Sequence, residues 1–212
     1  MADLSLYSAP TLRAFQKVYE GKTLAEILPH AEPELVQAYG FMRLAHEGQT
    51  RKGPSGRPYH HHPLMVFLLV RYSGGTLAEQ IAALLHDVLE DMEKSWPGAT
   101  RLQVLAAIEA QFGAEVADLV LKLSNPENLQ AADKKQWQAT QLENHPEIRR
   151  IKVADKLASS YDDIFDTPAG WSTAKLAASH QTMIETAEAH IEVLSHDVQV
   201  FFRWLKQQEV KA

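Results

Sequence analysis

The chain of 212 residues contains no cysteine. A disulfide framework and a thiolate metal site are therefore both excluded, and any transition-metal site must use imidazole and carboxylate ligands. Long hydrophobic runs are also missing, so we expect neither a signal peptide nor a membrane-spanning segment, and we expect a cytoplasmic protein. Positive charge is in deficit, with 21 lysines and arginines against 27 acidic residues and a formal net charge of −6. This balance argues against a nucleic-acid-binding protein, which usually presents a basic face.

The hydrophobic content of 45% suits one globular domain with a sizeable core. Apolar residues recur at spacings of three and four along nearly the whole chain, and glycine- and proline-containing turns separate the periodic segments. These patterns predict an all-α fold, in which any metal site must lie between helices. The candidate helices are residues 10–20, 32–47, 63–72, 76–92, 100–111, 113–123, 131–143, 146–164, 172–195 and 197–208.

The most informative segment lies in the predicted helix 76–92. On a helical wheel of about 100° per residue, apolar side chains form one arc. The opposite arc carries His86, Asp87, Glu90 and Asp91. An imidazole beside a carboxylate offers nitrogen and hard oxygen to a divalent cation such as Mn²⁺ or Fe²⁺. The alternative is an ordinary solvated helix face. Against it, the three carboxylates have no basic partner at helical spacing and would repel one another unless a cation neutralised them.

One histidine–aspartate pair cannot hold a metal, so further ligands must come from elsewhere in the chain. Pro63 suits the first turn of an apolar helix, which places His62 at the mouth of that helix. Asp155 lies on an amphipathic segment, opposite Val153 and Leu157. A polar loop of three histidines and a solvent-exposed aspartate are the alternative interpretations of these two features.

Four motifs occur in order along the chain and together identify a resemblance. They are AHEGQTRK at 45–52, GRPYHHHP at 56–63, HDVLED at 86–91 and KVADKL at 152–157. They resemble the hydrolase signatures of the RelA/SpoT family, and a Gly-Trp-Ser turn at 170–172 makes the stand-alone small alarmone hydrolases the most similar members. The resemblance covers about residues 36–175. It implies an N-terminal helical extension (1–34), an HD-type hydrolase domain (35–195) and a C-terminal helix (196–212).

The resemblance implies a metal-dependent enzyme. Its metal ligands would be His62, His86, Asp87 and Asp155. They would hold Mn²⁺ or another divalent transition metal. Glu90 and Asp91 would orient and deprotonate the attacking water. The implied reaction removes the 3′-pyrophosphate from guanosine 3′,5′-bis(diphosphate) and related alarmones of the stringent response. The expected partner is therefore a small phosphorylated nucleotide, with no nucleic acid and no membrane, while the oligomeric state is open.

Basic residues are the implied substrate contacts. Arg51 and Lys52 match positions near the base, where a guanidinium can stack and pair with phosphate. Lys175 matches a basic position that can meet phosphate. Lys134 and Lys135 match a basic pair, for which solvated helix lysines are the alternative interpretation.

The sequence departs from the family where the nucleoside should bind. Ser159 replaces the asparagine that contacts the nucleoside in the family, residues 179–182 replace an aromatic run, and residues 129–131 replace a Leu-Pro-Lys segment. We therefore expect relaxed or altered base preference. An HD phosphohydrolase acting on another nucleotide, such as an adenosine analogue, and a non-catalytic nucleotide-binding domain are the alternatives. The intact Glu90–Asp91 pair speaks against the non-catalytic alternative.

Overall fold

The computed structural model describes residues 15, 17–18, 20–130 and 132–208, apart from the side chains of residues 92–95. Helices account for the regular structure of these residues, which confirms the predicted all-α class. Extended pairing within them is limited to one antiparallel bridge between Thr50 and Pro58. No helix in the described ranges is long and apolar enough to cross a membrane.

The helices are numbered here in chain order. They are α1 (Leu24–Ile27), α2 (Pro33–Ala45), α3 (His61–Tyr72), α4 (Leu77–Leu85), α5 (Val88–Ser95), α6 (Arg101–Phe112), α7 (Ala114–Leu123), α8 (Lys134–Asn144), α9 (Arg149–Phe165), α10 (Thr173–Glu188) and α11 (His196–Lys206). Short 3₁₀ turns at Pro146–Ile148 and Ile191–Val193 precede α9 and α11.

Helix α3 lies at the centre of the core. Its residues 64–70 are uninterrupted hydrophobic side chains and are all fully buried, as expected for a helix that is apolar on every face. It packs against α4 and α9, and α9 packs in turn against α10. The amino-terminal turn of α3 and the middle of α9 are therefore held rigidly beside each other, where the site forms.

The prediction of one continuous helix over 76–92 was wrong at its centre. Helix α4 ends at Leu85, His86 and Asp87 form a turn, and α5 begins at Val88. In a continuous helix the Ala83 carbonyl would accept a hydrogen bond from the Asp87 amide. Here it lies 2.8 Å from the imidazole Nδ1 of His86. The side chain thus competes with the backbone for this acceptor, at the position where the helix breaks.

Other helix boundaries also differ from the periodic pattern. The predicted helix 172–195 ends at Glu188, and the chain then passes through a 3₁₀ turn before Ser195 caps α11 by accepting from the Val198 amide. Helix α1 was not predicted, although Glu26 accepts a hydrogen bond from the Thr23 amide at 2.8 Å, which is part of a recognisable capping pattern. The predicted helix 10–20 lies largely outside the described residues.

The C-terminal helix α11 belongs to the same hydrophobic core as α3 and α9. Phe201 is fully buried and lies 5.9 Å from the ring centroid of Tyr161 on α9. Trp204 stacks on Phe165 at 5.8 Å. The division into an extension, an HD-type domain and a C-terminal helix stays a prediction.

Candidate functional site

Three parts of the fold bring the four sequence-predicted metal ligands together. His62 comes from the first turn of α3, His86 and Asp87 from the turn between α4 and α5, and Asp155 from the middle of α9. Asp155 Oδ1 lies 3.3 Å from His62 Nε2 and 3.9 Å from His86 Nε2. Asp87 Oδ2 lies 3.2 Å from His86 Nε2 and 3.8 Å from His62 Nε2. Two imidazole nitrogens and one Asp87 oxygen therefore face one small volume, and Asp155 borders it beside both histidines.

The chemistry of these donors fits a divalent cation. His62, His86 and Asp87 offer ligand atoms that all lie within 4.8 Å of one another. The contact of His86 Nδ1 with the Ala83 carbonyl requires a hydrogen on Nδ1, which leaves the Nε2 lone pair for the cluster. Both histidines are only 2% exposed, so water cannot readily satisfy these nitrogens. Nitrogen and oxygen donors without sulfur suit a divalent transition metal, and they do not by themselves select one.

The charges of the cluster compensate one another in the absence of a cation. Burial alone would lower the pKa of His86, but the Asp87 carboxylate outweighs it and raises this pKa to about 9. Burial likewise opposes ionisation of Asp155, yet Lys156 and Lys152 hold its pKa well below the usual range.

Tyr59 supports the cluster and was not singled out from the sequence. Its hydroxyl donates to Asp87 Oδ2 at 2.7 Å. Its ring lies 4.7 Å from the His46 ring and 5.4 Å from the Arg51 guanidinium carbon. Tyr59 therefore connects a predicted ligand to a predicted substrate residue, and its place three residues before His62 in the second motif is the signal that could have revealed it.

Two lysines flank Asp155 and were likewise not assigned a role. Lys152 Nζ and Lys156 Nζ lie 3.5 and 3.4 Å from Asp155 Oδ2. On the other side, Ser159, predicted to contact substrate, donates from Oγ to Asp155 Oδ1 at 3.3 Å. The lysines of the KVADKL motif therefore fix the carboxylate, and Ser159 lies one turn away on the same helix.

The two predicted water-activating residues lie on α5, one turn beyond the cluster. Glu90 Oε1 accepts hydrogen bonds from the Asn125 amide at 2.8 Å and from Asn125 Nδ2 at 2.9 Å. Asp91 Oδ2 lies 3.8 Å from His46 Nδ1. The sequence did not predict that Asn125 and His46 contact these two carboxylates. Asn125 and Glu90 are 35 positions apart in the chain, so no local pattern links them. The roles of Glu90 and Asp91 stay predictions.

A cavity of about 440 Å³ opens beside the cluster. Two of its lining residues, Tyr59 and Ser159, also contact metal-ligand candidates. Its far wall includes Arg51, Lys52, Asp163, Trp171 and Met183. Arg51 Nη2 is held by Asp162 Oδ2 at 2.9 Å.

A basic groove of about 790 Å³ continues from this cavity between α8 and α10. Trp171 and Met183 line both spaces. The groove gathers the lysines Lys134, Lys135, Lys156 and Lys175. Lys175 Nζ lies 4.4 Å from the Trp171 ring centroid, which orients the ammonium group. The structure therefore brings the predicted basic residues together although the whole chain is acidic.

Comparison with known proteins identifies the family of this chain. The HD domain family model matches residues 38–160. The guanosine-3′,5′-bis(diphosphate) 3′-pyrophosphohydrolase MESH1 of Homo sapiens is 30% identical over 177 residues, which cover 82% of each chain. The MESH1 of Drosophila melanogaster is 29% identical over 66% of this chain and 74% of its own.

A bacterial relative and a solved structure extend these comparisons. The bifunctional (p)ppGpp synthase/hydrolase SpoT of Escherichia coli is 40% identical over half of this chain, a stretch that covers 13% of SpoT. A solved structure described as a metazoan ortholog of SpoT that hydrolyses ppGpp superposes with a TM-score of 0.69. That match has 22% identity and covers 84% of this chain and 97% of the other. The fold and the relatives confirm the resemblance predicted from the motifs, and the chain belongs to the HD-domain family.

Proposed function

We propose that this protein is a metal-dependent hydrolase that removes the 3′-pyrophosphate from guanosine 3′,5′-bis(diphosphate) and related alarmones. The observation that carries the proposal is the meeting of His62, His86 and Asp87 in one small volume, with Asp155 beside both histidines. The activities for which the MESH1 and SpoT relatives are named support the same reaction. A cytoplasmic location stays a prediction from the sequence.

We further propose Mn²⁺ as the cation, as the family resemblance implies, and the imidazole and carboxylate donors of the cluster are compatible with it. Other divalent transition metals suit the same donors. When bound, such a cation would lower the pKa of a water molecule and polarise the phosphate under attack. Ala83 would hold His86, and Tyr59 would hold Asp87, in the orientation that ligation requires.

In the proposed reaction, water attacks the phosphorus bonded to the 3′ oxygen and the O3′–P bond breaks. Glu90 and Asp91 would take a proton from the water, and the 3′ oxygen gains a proton as it leaves. The products are pyrophosphate and a nucleoside 5′-diphosphate. The backbone amide and the side-chain amide of Asn125 both donate to the Glu90 carboxylate and would thereby fix it for this transfer.

The cavity and the basic groove would bind the rest of the substrate. Arg51 and Lys52 lie in the cavity wall and would meet the base and nearby phosphate. Lys134 and Lys175 lie in the groove and would pair with the phosphates that are not cleaved. Ser159, between the cluster and the cavity, would lie beside the ribose.

A second candidate is hydrolysis of the adenosine analogue by the same chemistry, because Ser159 replaces the asparagine that contacts the nucleoside in the family. A product assay with Mn²⁺ across 3′-pyrophosphorylated and ordinary nucleotides tests both. We expect pyrophosphate release from the 3′-pyrophosphorylated substrates, with a preference between guanosine and adenosine below about a thousandfold, because single charge-assisted contacts contribute roughly ten- to a hundredfold. Activity confined to ordinary nucleotides would contradict the proposed reaction. A preference above a thousandfold would contradict only the relaxed pocket.

A further inference from the structure

Asp163 on α9 is a buried carboxylate that lines the cavity beside Arg51. It is 7% exposed, and Ser179 Oγ donates to its Oδ2 at 3.2 Å. Within the described part of the chain, no lysine, arginine or histidine lies within ion-pair distance of this carboxylate. Burial raises the pKa of Asp163, as expected for a charge that has lost water and gained little in return.

The neighbouring carboxylates are satisfied in a different way. Asp162 pairs with Arg51 at 2.9 Å and with Arg57 at 3.3 Å. Asp166 pairs with Arg57 at 3.3 Å and accepts from the Ser55 amide at 3.1 Å. The arginines near the cavity are therefore engaged by Asp162 and Asp166, while Asp163 retains acceptor capacity toward whatever enters the cavity.

The position of Asp163 along helix α9 determines how far from the metal-ligand cluster it would contact a ligand. Asp155, Ser159 and Asp163 are spaced four residues apart and follow one face of the helix. With a rise of 1.5 Å per residue, Ser159 and Asp163 lie roughly 6 and 12 Å along the axis from Asp155. A nucleotide whose 3′-phosphate sits at Asp155 would place its ribose near Ser159. Its base would then extend about two helical turns, to the level of Asp163.

We propose that Asp163 is the residue that selects the base, by accepting hydrogen bonds from the N1–H and the 2-amino group of guanine. The inference rests on the proposed function. Guanine presents these two donors side by side, and a carboxylate presents two matching acceptors. Adenine instead has a hydrogen-bond acceptor at N1. This acceptor would face the carboxylate, which is also an acceptor, so no hydrogen bond could form. Hypoxanthine keeps N1–H and lacks the amino group, so it should rank between the two.

Ser179 has a defined part in this arrangement. Ser179 lies on α10, and its hydroxyl donates a hydrogen bond to Asp163 Oδ2 on the neighbouring helix α9. At the position where the family has an aromatic ring, this chain thus has a residue that orients a hydrogen-bond acceptor. Recognition of a base by one carboxylate, without a stacked ring, gives moderate selectivity, consistent with the relaxed preference expected from the sequence.

The experiment compares kcat/KM of the Mn²⁺-loaded full chain for the 3′-pyrophosphorylated forms of guanosine, inosine and adenosine. The wild type should prefer guanosine over inosine by roughly tenfold, and over adenosine by up to about a hundredfold, as expected for loss of charge-assisted hydrogen bonds. Asp163→Asn should bring the guanosine-to-inosine ratio close to one, and Ser179→Ala should lower it in part. Asp197→Asn, an exposed carboxylate on α11, is the matched control and should leave both ratios unchanged.

Ratios within one protein preparation do not depend on the fraction that folds, so a destabilised Asp163→Asn still reports on selectivity. A wild type that cleaves none of the three substrates would overturn the proposed function, and the base assignment with it. Cleavage of all three with a guanosine-to-inosine ratio near one, or a ratio that Asp163→Asn leaves unchanged, would overturn the assignment of Asp163 alone.

Discussion

At the scale of single residues, the two ring nitrogens of His86 have different surroundings, which orient the imidazole as a metal ligand would need. Its Nδ1 contacts the Ala83 carbonyl at 2.8 Å, and its Nε2 faces the carboxylates of Asp87 and Asp155. Burial lowers the pKa of His86, but the Asp87 carboxylate outweighs burial and raises this pKa to about 9. A metal ligand must be neutral imidazole, so cation and proton compete for the same nitrogen.

Cation binding should therefore release a proton from the protein. Since the pKa of His86 is raised to about 9, the proton is present below that pH and absent well above it. We expect Mn²⁺ titrated into cation-free protein at pH 7 to release protons, because the cation binds the neutral imidazole. Calorimetry in buffers of different ionisation enthalpy measures this number. Heats at pH 7 that do not depend on the buffer would contradict the competition.

At the scale of elements, the turn between α4 and α5 decides where the acidic residues lie. On one unbroken helix, Glu90 would share a face with His86. The break leaves His86 in the turn and Glu90 in α5, where Glu90 meets Asn125 after α7. The predicted ligand pair thus belongs to the turn, and the predicted water-activating pair belongs to the following helix.

Glu90→Gln should accordingly retain the cation and lose turnover. The glutamine can still accept a hydrogen bond from Asn125 but cannot take up a proton from water. A loss of roughly a hundred- to ten-thousandfold in kcat is typical of removing a general base. Glu127→Gln, an exposed residue that lines the same surface pocket as Glu90, is the control and should keep its rate. Near-normal turnover in Glu90→Gln would remove this residue from the mechanism.

The element scale also separates what the sequence can predict from what it cannot. Periodicity located α3 and α9, because burial of an apolar face is written in local spacing. Periodicity did not predict the break after Leu85. The hydrogen bond that competes with the helix there comes from the His86 side chain to the Ala83 carbonyl, and a histidine at this position is compatible with a helical pattern. Contacts such as Tyr59 with Asp87, or Ser179 with Asp163, join different elements and leave no local pattern.

At the scale of the whole molecule, the fold converts distant positions into one site. The predicted ligands span residues 62 to 155 and meet because α3 is buried between α4 and α9. The motifs predict all four through their resemblance to a family, whereas the distances between them depend on how the core packs. Overall charge is similarly a poor guide to the site, since a chain of net charge −6 gathers four lysines in the groove beside it.

The central claim is that one divalent cation, held by these four side chains, enables 3′-pyrophosphate hydrolysis. The most direct test measures manganese content by mass spectrometry and pyrophosphate release together, in the wild type, His86→Ala, Asp87→Ala and the exposed control His30→Ala. We expect a single ion per chain and full activity in the wild type and the control. Both quantities should fall to background in the two ligand variants, because each removes a donor from the cluster. Full manganese occupancy in both His86→Ala and Asp87→Ala would contradict the assigned metal centre.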